Sequence, residues 1–525
     1  MVRARPSLPT GHGELLTTPD IAEWAGLLAE NAARARRWTF EVAGVHAGEL
    51  RALARREALD RGAAFSSKLG VPVRVSSDPD APIAMTGHQP GLYHPGVWIK
   101  DFLLQRIADQ TGATAIDVAV DSDGFDEVAL TVPCLEPVAQ RCRSVLATAS
   151  ADACYACAPV PSPALLDEFR RFGMSYLTSL PAPAVAHHFE TFCGILQQAA
   201  LEANSLGELL IIARRRYEAP SGTDYLELPL ASLAQGRGFA YLVVDLALRA
   251  REFAGAYNSE LGAYRASHGT RSVAQPFPDL ELGPDRTELP LWVLADGTRS
   301  TAYVEIVGGK VYLTGREGRD RVPLPAEPLD AVESLTESGM RLAPKALTLT
   351  LFLRLFVADL FIHGVGGARY DRVTDGVIRR FFGIEPPAFV VASLTMYLPL
   401  GARMVTDEEL ADIAERRSRF EHNPDDLLEE ADFETDEERA EARRLAAEKA
   451  ALITEIALPG ADRKELGKRI REVNAALGEL LGPLGEAIRQ EERRLKDERA
   501  AAEVLTDRNY PFCLWSPEEV ADKAR

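Results

Sequence analysis

The sequence predicts an α/β protein built on a parallel sheet, followed by an α-helical antiparallel coiled-coil hairpin. Three observations carry that expectation. An apolar run from Pro82 to Met85 leads into a turn holding Gly87, Pro90 and Gly91, and the breaker pair Pro95-Gly96 then opens a segment with helical periodicity. Val97, Trp98, Phe102, Leu103, Leu104, Ile107 and Ala108 recur there, Gly112 is a natural stop, and Thr114 to Val120 alternates like a strand. Strand, turn, helix and strand make the first unit of a parallel sheet. The short apolar runs Glu208 to Ala213 and Phe239 to Leu246 read as further buried strands. Beyond residue 405 the composition turns to Glu, Arg, Ala and Leu with heptad-like apolar spacing.

In chain order, residues 1–75 read as a helical lead-in, with Ile21, Trp24, Leu27, Leu28 and Ala32 on one face. Residues 76–400 form the sheet core, interrupted by an Ala/Pro/Cys-rich insertion around 134–205. A small antiparallel β element is expected around 286–325, where Ser300 to Val307 and Lys310 to Leu313 flank the hairpin turn Gly308-Gly309. Leu347 to Phe361 is almost wholly apolar, too short to span a bilayer, and suits a buried helix. Tyr370 to Phe382 continues as a helix and Phe389 to Tyr397 as a strand. Residues 401–525 hold the hairpin and a tail. Ala442, Leu445, Leu452 and Ile456 form one arm, Pro459-Gly460 reverses the chain, and Leu466 to Ile488 forms the other, kinked at Gly482-Pro483. The aromatic tail Tyr510 to Trp515 is expected to dock on the core.

Composition sets the bounds. A chain of 525 residues exceeds one compact core. A net charge of −19 argues against a general nucleic-acid binder. No apolar run of about 18 residues exists for a membrane span, and residues 1–20 lack a signal-peptide core, so a cytoplasmic location and no membrane partner are expected. The six cysteines do not suggest a disulfide framework; Cys154-Tyr155-Ala156-Cys157 has metal-ligand spacing but no second pair, so ordinary thiols and no metal centre are expected.

The candidate chemistry gathers at one mouth of the sheet. His88 and His94 flank a turn, where both can face a ligand, and imidazole either moves a proton near neutral pH or, protonated, steadies phosphate charge. Gln89 can fix a carboxylate, and Lys100 is a counter-charge if it is not simply solvated. Thr86, Gly87 and Gly91 offer backbone amides at a helix start, a setting that favours phosphate. Asp121 and Asp123 end the next strand on one side, where they can orient hydroxyl groups or Mg²⁺. In the His363 to Asp371 loop, Gly364, Gly366 and Gly367 allow close approach to phosphate, with His363 and Tyr370 beside them and Arg341 and Lys345 as counter-charges.

Thr86-Gly87-His88-Gln89-Pro90-Gly91-Leu92 resembles the T-G-Q-Q-A-G-L turn of the BshC-type bacillithiol biosynthesis cysteine-adding enzymes. Phe125-Asp126-Glu127-Val128 resembles the end of that family's E-D-H-D-F-x-E-V stretch, and Gly364 to Tyr370 is similar to its G-P-G-E-x-A-Y segment. The resemblance implies a Rossmann-like core with insertions, ATP or ADP binding in it, a coiled coil used for homodimerisation, and ATP-dependent joining of an amino acid to an amino-sugar conjugate. Asp123 and Gly124 stand where the family has His and Asp, and Gly367 where it has Glu, so a different small-molecule substrate is compatible with the pattern. Two other readings fit the same residues: a sugar- or nucleotidyl-transferase without cysteine chemistry, and a non-catalytic scaffold using the coiled coil.

Overall fold

The computed structural model describes residues 8–525 apart from 79, 137, 151, 270–271, 273–276, 296, 317, 319 and 402. The elements that position the site are β1 (Glu14–Thr18), α1 (Ala47–Ser66), β2 (Ile83–His88), α2 (Pro95–Thr111), β3 (Thr114–Ala119), α3 (Leu206–Glu218), β4 (Leu226–Pro229), α4 (Ala346–Phe356), β5 (Leu360–His363), α5 (Val365–Phe382) and β6 (Val390–Thr395). Six strands form one sheet in the order β1-β6-β5-β2-β3-β4. Five of them run parallel. The sheet is nevertheless mixed, because β1 pairs antiparallel with β6 from Glu14↔Thr395 to Thr18↔Val391. That edge strand comes from the segment expected to be wholly helical.

The parallel strands are apolar because both faces are covered. Every residue of β3 and of β6 is buried, as continuous apolar strands under helices require. Two runs read as strands are helices instead. Ser205 caps α3 by accepting from the Glu208 amide, and Phe239 to Leu246 lies in the helix Arg237–Leu248, buried on nearly all sides. A helix without a polar face has lost the period that distinguishes it from a buried strand. The apolar segment after Lys345 also divides, into α4 and then β5.

The turn ahead of α2 folds as its sequence directs. His94 is the N-cap, its Nδ1 accepting from the Gly96 amide at 3.0 Å; Pro95 occupies the first turn, and Gly112 closes the helix at φ 71°. Gly96 is fixed by proximity: a Cβ there would lie 2.5 Å from the Leu394 carbonyl oxygen and 2.4 Å from an Arg508 guanidinium nitrogen.

The remaining β structure is a five-stranded antiparallel sheet containing Arg286–Ala295, Thr298–Val307, Lys310–Gly315, Arg321–Leu324 and Leu342–Pro344. Cys154, Cys157, Cys193 and Cys513 are free thiols, whereas Cys134 and Cys142 are disulfide-bonded, contrary to the expectation of six thiols. No helix among the described residues is long and apolar enough to cross a membrane.

The chain divides into two compact units. One contains both large sheets and the segment Arg508–Arg525; the other comprises Pro133–Arg141 and Pro399–Asp507. In the second unit, Asp436–Ile456 packs against Arg463–Leu480 through Ala442, Leu445, Leu452, Leu466, Val473 and Leu477. The expected single second arm is two helices, because the chain breaks at Leu481 before Gly482–Leu505 begins with Pro483 in its first turn. In the first unit, Phe512 of the tail packs against Trp98, Phe192 and Tyr217.

Gly96→Val is expected to destabilise the protein by about 1–3 kcal/mol, since the Leu394 carbonyl belongs to a buried strand and has little room to yield. Urea unfolding at pH 7, compared with Gly26→Ala, where a Cβ meets nothing within 4 Å, measures it.

Candidate functional site

The chain leaves β2 for β3 and then β4 in one direction across the sheet, but passes from β5 to β6 in the other. The reversal falls between β5 and β2, which are adjacent and parallel, with Leu360↔Ala84 and Ile362↔Thr86 in register. Loops at the carboxyl ends of two such strands diverge and leave a crevice, the usual ligand position in open α/β sheets. Both glycine bends stand there: Gly87 near the end of β2, and Gly364 to Gly367 between β5 and the first turn of α5.

A cavity of about 120 Å³ opens at this point between the sheet, α4 and α5. Its walls are mainly apolar, including Val118, Leu347, Leu353 and Phe361, with polar groups from Thr350, His363 and Asp371. Gly87 belongs to the floor, where a Cβ would come 3.0 Å from the Val118 carbonyl oxygen and 3.8 Å from the Phe361 ring. Tyr370 and Phe277, in T-shaped contact at 5.4 Å, stand at the wall. His363 is buried and its Nε2 meets Asp371 Oδ2 at 2.9 Å. Burial opposes ionisation of Asp371, but Arg354 at 2.5 Å and then His363 outweigh it and hold that carboxyl well below the ordinary carboxylate range. Gly364 and Gly366 have open space where a side chain would be, while a Cβ on Gly367 would lie 3.1 Å from His363 Nδ1.

Other expected site residues are placed differently. Thr86 faces away from the cavity: its hydroxyl donates to the Ile362 carbonyl at 2.9 Å and accepts from Lys100 Nζ at 3.2 Å, so it has no role at a phosphate. Lys100 is not a solvent lysine. It is buried, donates also to the Gly87 carbonyl at 3.0 Å, and its pKa is lowered, first by burial. His94 is engaged as the helix cap. His88 places Nδ1 2.8 Å from the Gln89 carbonyl, which makes Nδ1 the protonated nitrogen. Its pKa falls to about 3, through burial and then the Lys100 charge, so it is neutral at pH 7 and cannot act as an imidazolium. Gln89 donates to Asp123, which also holds Arg299 and the Gly124 amide. Asp121 instead accepts from the Ala231 amide at 2.8 Å. These two aspartates therefore do not converge as Mg²⁺ ligands, and no three His, Cys, Asp or Glu side chains gather as a metal site among the described residues. Lys345 pairs with Glu288 at 2.7 Å above the Trp292 ring, which takes it from the Gly364 loop. Gly91 lies beside the Tyr155 hydroxyl.

No protein-family model matches the chain, and no curated protein matches it.

The opposite face of the sheet, at β3 and β4, carries a buried ionic cluster absent from the sequence expectations. Arg214 reaches Asp101 and Asp117 at 2.8 and 2.9 Å, Glu218 at 3.2 Å and Glu227 at 2.5 Å, and Arg215 reaches Glu218 at 3.3 Å. Trp98 Nε1 donates to Glu218, and the Tyr225 hydroxyl accepts from Arg214. All these charged groups are buried. Lys100, Arg214 and Arg215 face four carboxylates, an acid excess of one, and burial pushes Asp101 and Glu227 well above the usual range. Asp117 Oδ1 and Glu227 Oε2 have no hydrogen-bond partner among the described residues.

Arg214→Met should cost about 3–5 kcal/mol, because removing one cation strands several buried carboxylates. Urea unfolding at pH 7 checks it, and a loss below about 1 kcal/mol would count against the cluster as drawn. Asp121 gives a pH prediction. Its pKa is raised to about 6, chiefly by burial and against the Ala231 hydrogen bond, so its contribution to stability is full below the unfolded value and lost as pH rises through 6. Asp121→Asn should therefore gain about 1–3 kcal/mol over the native protein at pH 8, and little at pH 4; thermal melts at both pH values measure the difference.

Proposed function

We propose that the protein is a nucleotide-dependent carbon–nitrogen ligase that activates a small carboxylate and joins it to an amine. The reading rests on one observation: the two glycine bends meet at the strand-order reversal between β5 and β2, beside a cavity. In it, the core is Rossmann-like, and ATP places its apolar portion against the cavity walls and its phosphates at the mouth, where the first-turn amides of α5 at Gly366 and Gly367 point outward. The carboxylate takes a phosphoryl or adenylyl group from ATP, which leaves ADP or pyrophosphate, and attack by the amine forms the amide and expels phosphate or AMP. Asp121, with its pKa near 6 and one residue beyond the cavity-lining Val120, is the group suited to take the amine's proton. His88 acts as a neutral hydrogen-bonding group, and Gln89 and Asp123 orient the substrate.

The sequence resemblance supplies the narrower form of this proposal, a relative of the cysteine-adding enzymes acting in the cytoplasm, with the helices of residues 401–525 pairing two copies as a coiled coil. The replacement of the family's His, Asp and Glu by Asp123, Gly124 and Gly367 favours an acceptor other than that family's own.

Gly364 has room for a side chain at its own position, so Gly364→Val should fold normally yet crowd the mouth. Isothermal titration should show ATP binding to the native protein and weakening of about tenfold or more in this variant. ATP with a panel of amino acids and amines should release phosphate or pyrophosphate only when an amino acid is present, and Asp121→Asn should abolish that release. Turnover independent of any amino acid would instead indicate a transferase.

A further inference from the structure

A second cavity, of about 380 Å³, lies at the other end of the same two strands, beside Pro82, which precedes β2, and Asp359, which precedes β5. Four arginines line it: Arg51, Arg55 and Arg56 from one stretch of α1, and Arg36 just beyond the helix Trp24–Ala35. The carboxylates there are Asp359 and the exposed Asp80. In a chain of net charge −19, this is a local surplus of positive charge.

Two of the arginines are structural. Arg51 donates to the carbonyls of Leu355 at 2.6 Å and Ala358 at 3.0 Å, and Arg55 to those of Val357 at 2.8 Å and Ala81 at 2.6 Å. Both also pair with Asp359, at 2.6 and 2.8 Å. Asp359 is engaged by both of them and, through Oδ2, also accepts from the Ile83 amide at 2.9 Å. Arg36 and Arg56 differ: neither side chain makes a hydrogen bond or ion pair among the described residues, although both border the cavity. The field there already strains its own cations. Arg51 is lowered to about 10, first by burial and further by Arg55 and Arg36, against the opposing pull of Asp359.

We infer that this cavity binds a small phosphorylated ligand, with Arg36 and Arg56 closing on its phosphate and Arg51 and Arg55 forming the charged floor. Four guanidinium groups against two carboxylates leave two positive charges, which one phosphate dianion matches and one carboxylate does not. Guanidinium forks fit tetrahedral oxyanions through paired N–H donors, and the volume is that of a small-molecule site. The ligand would lie beneath the crevice, against the loop whose Asp359 ties β5 to β2, at a place distinct from the nucleotide position proposed above and independent of it.

Calorimetric titration of the full chain with inorganic pyrophosphate tests this, using the native protein, Arg36→Ala/Arg56→Ala and Gly364→Val. Binding by the native protein, weakened about tenfold or more in the double arginine variant and retained in Gly364→Val, is the expected result. Absence of binding to the native protein, or unchanged affinity in the double variant, overturns it; loss in Gly364→Val alone assigns the anion to the crevice and overturns it equally. Both arginines are exposed, so the double variant should keep the native melting temperature without ligand, and pyrophosphate should raise that temperature only in proteins retaining the pair.

Discussion

One buried carboxylate ties the two central strands together. Asp359 accepts from the Ile83 amide at the start of β2 while anchored by Arg51 and Arg55 of α1. The residues it joins are 276 positions apart in the chain. That bond and the Thr86 hydroxyl on the Ile362 carbonyl set the register of β2 against β5 from opposite ends. A slip of β2 by one residue would turn Gly87 away from the cavity and point Thr86 into it, while His363 of β5 stayed in place, because strand side chains alternate between faces. The crevice therefore exists only because this alignment is fixed, and a buried anion with two cationic partners and an amide is costly to disturb.

Much of this arrangement is legible in the sequence. The turn from Gly87 to Gly96 announces a strand, a capped helix and a second strand, since Pro95, His94 and Gly112 each suit one position by local chemistry alone. The antiparallel strands around Gly308-Gly309 are equally local. What escapes is set by tertiary surroundings. α3 and the helix Arg237–Leu248 are buried on nearly every side, so neither displays the solvent-facing polar stripe that marks a surface helix. β1 is recruited by β6 across most of the chain, and nothing within its five residues foretells the pairing.

The site divides along the same line. The meeting of the two glycine bends follows from the order of motifs once β5 and β2 are neighbours. The roles of individual side chains do not, because they depend on which face of the sheet each strand residue takes. Thr86 and Lys100 fall on one face with the ionic cluster, Gly87 and His363 on the other with the cavity. The cluster did leave a trace: Asp117 and Glu227 each stand alone in an apolar strand, Ala115-Ile116-Asp117-Val118-Ala119 and Leu226-Glu227-Leu228. A charge in such a setting demands a buried partner of opposite sign, and Arg214-Arg215 is the adjacent pair that answers it.

The segment Arg508–Arg525 belongs to the sheet-bearing unit, although it follows the helical unit in the chain. Its Phe512 amide donates to the Tyr93 carbonyl at 2.7 Å, and its ring fills a space between Trp98, Phe192 and Tyr217. During synthesis the nascent sheet must therefore wait, with that aromatic nest unfilled, while the more than one hundred residues of the helical unit's Pro399–Asp507 segment emerge from the ribosome. The helical unit is inserted within its neighbour, so maturation of the fold is governed by the arrival of a short closing segment rather than by domains completed in sequence.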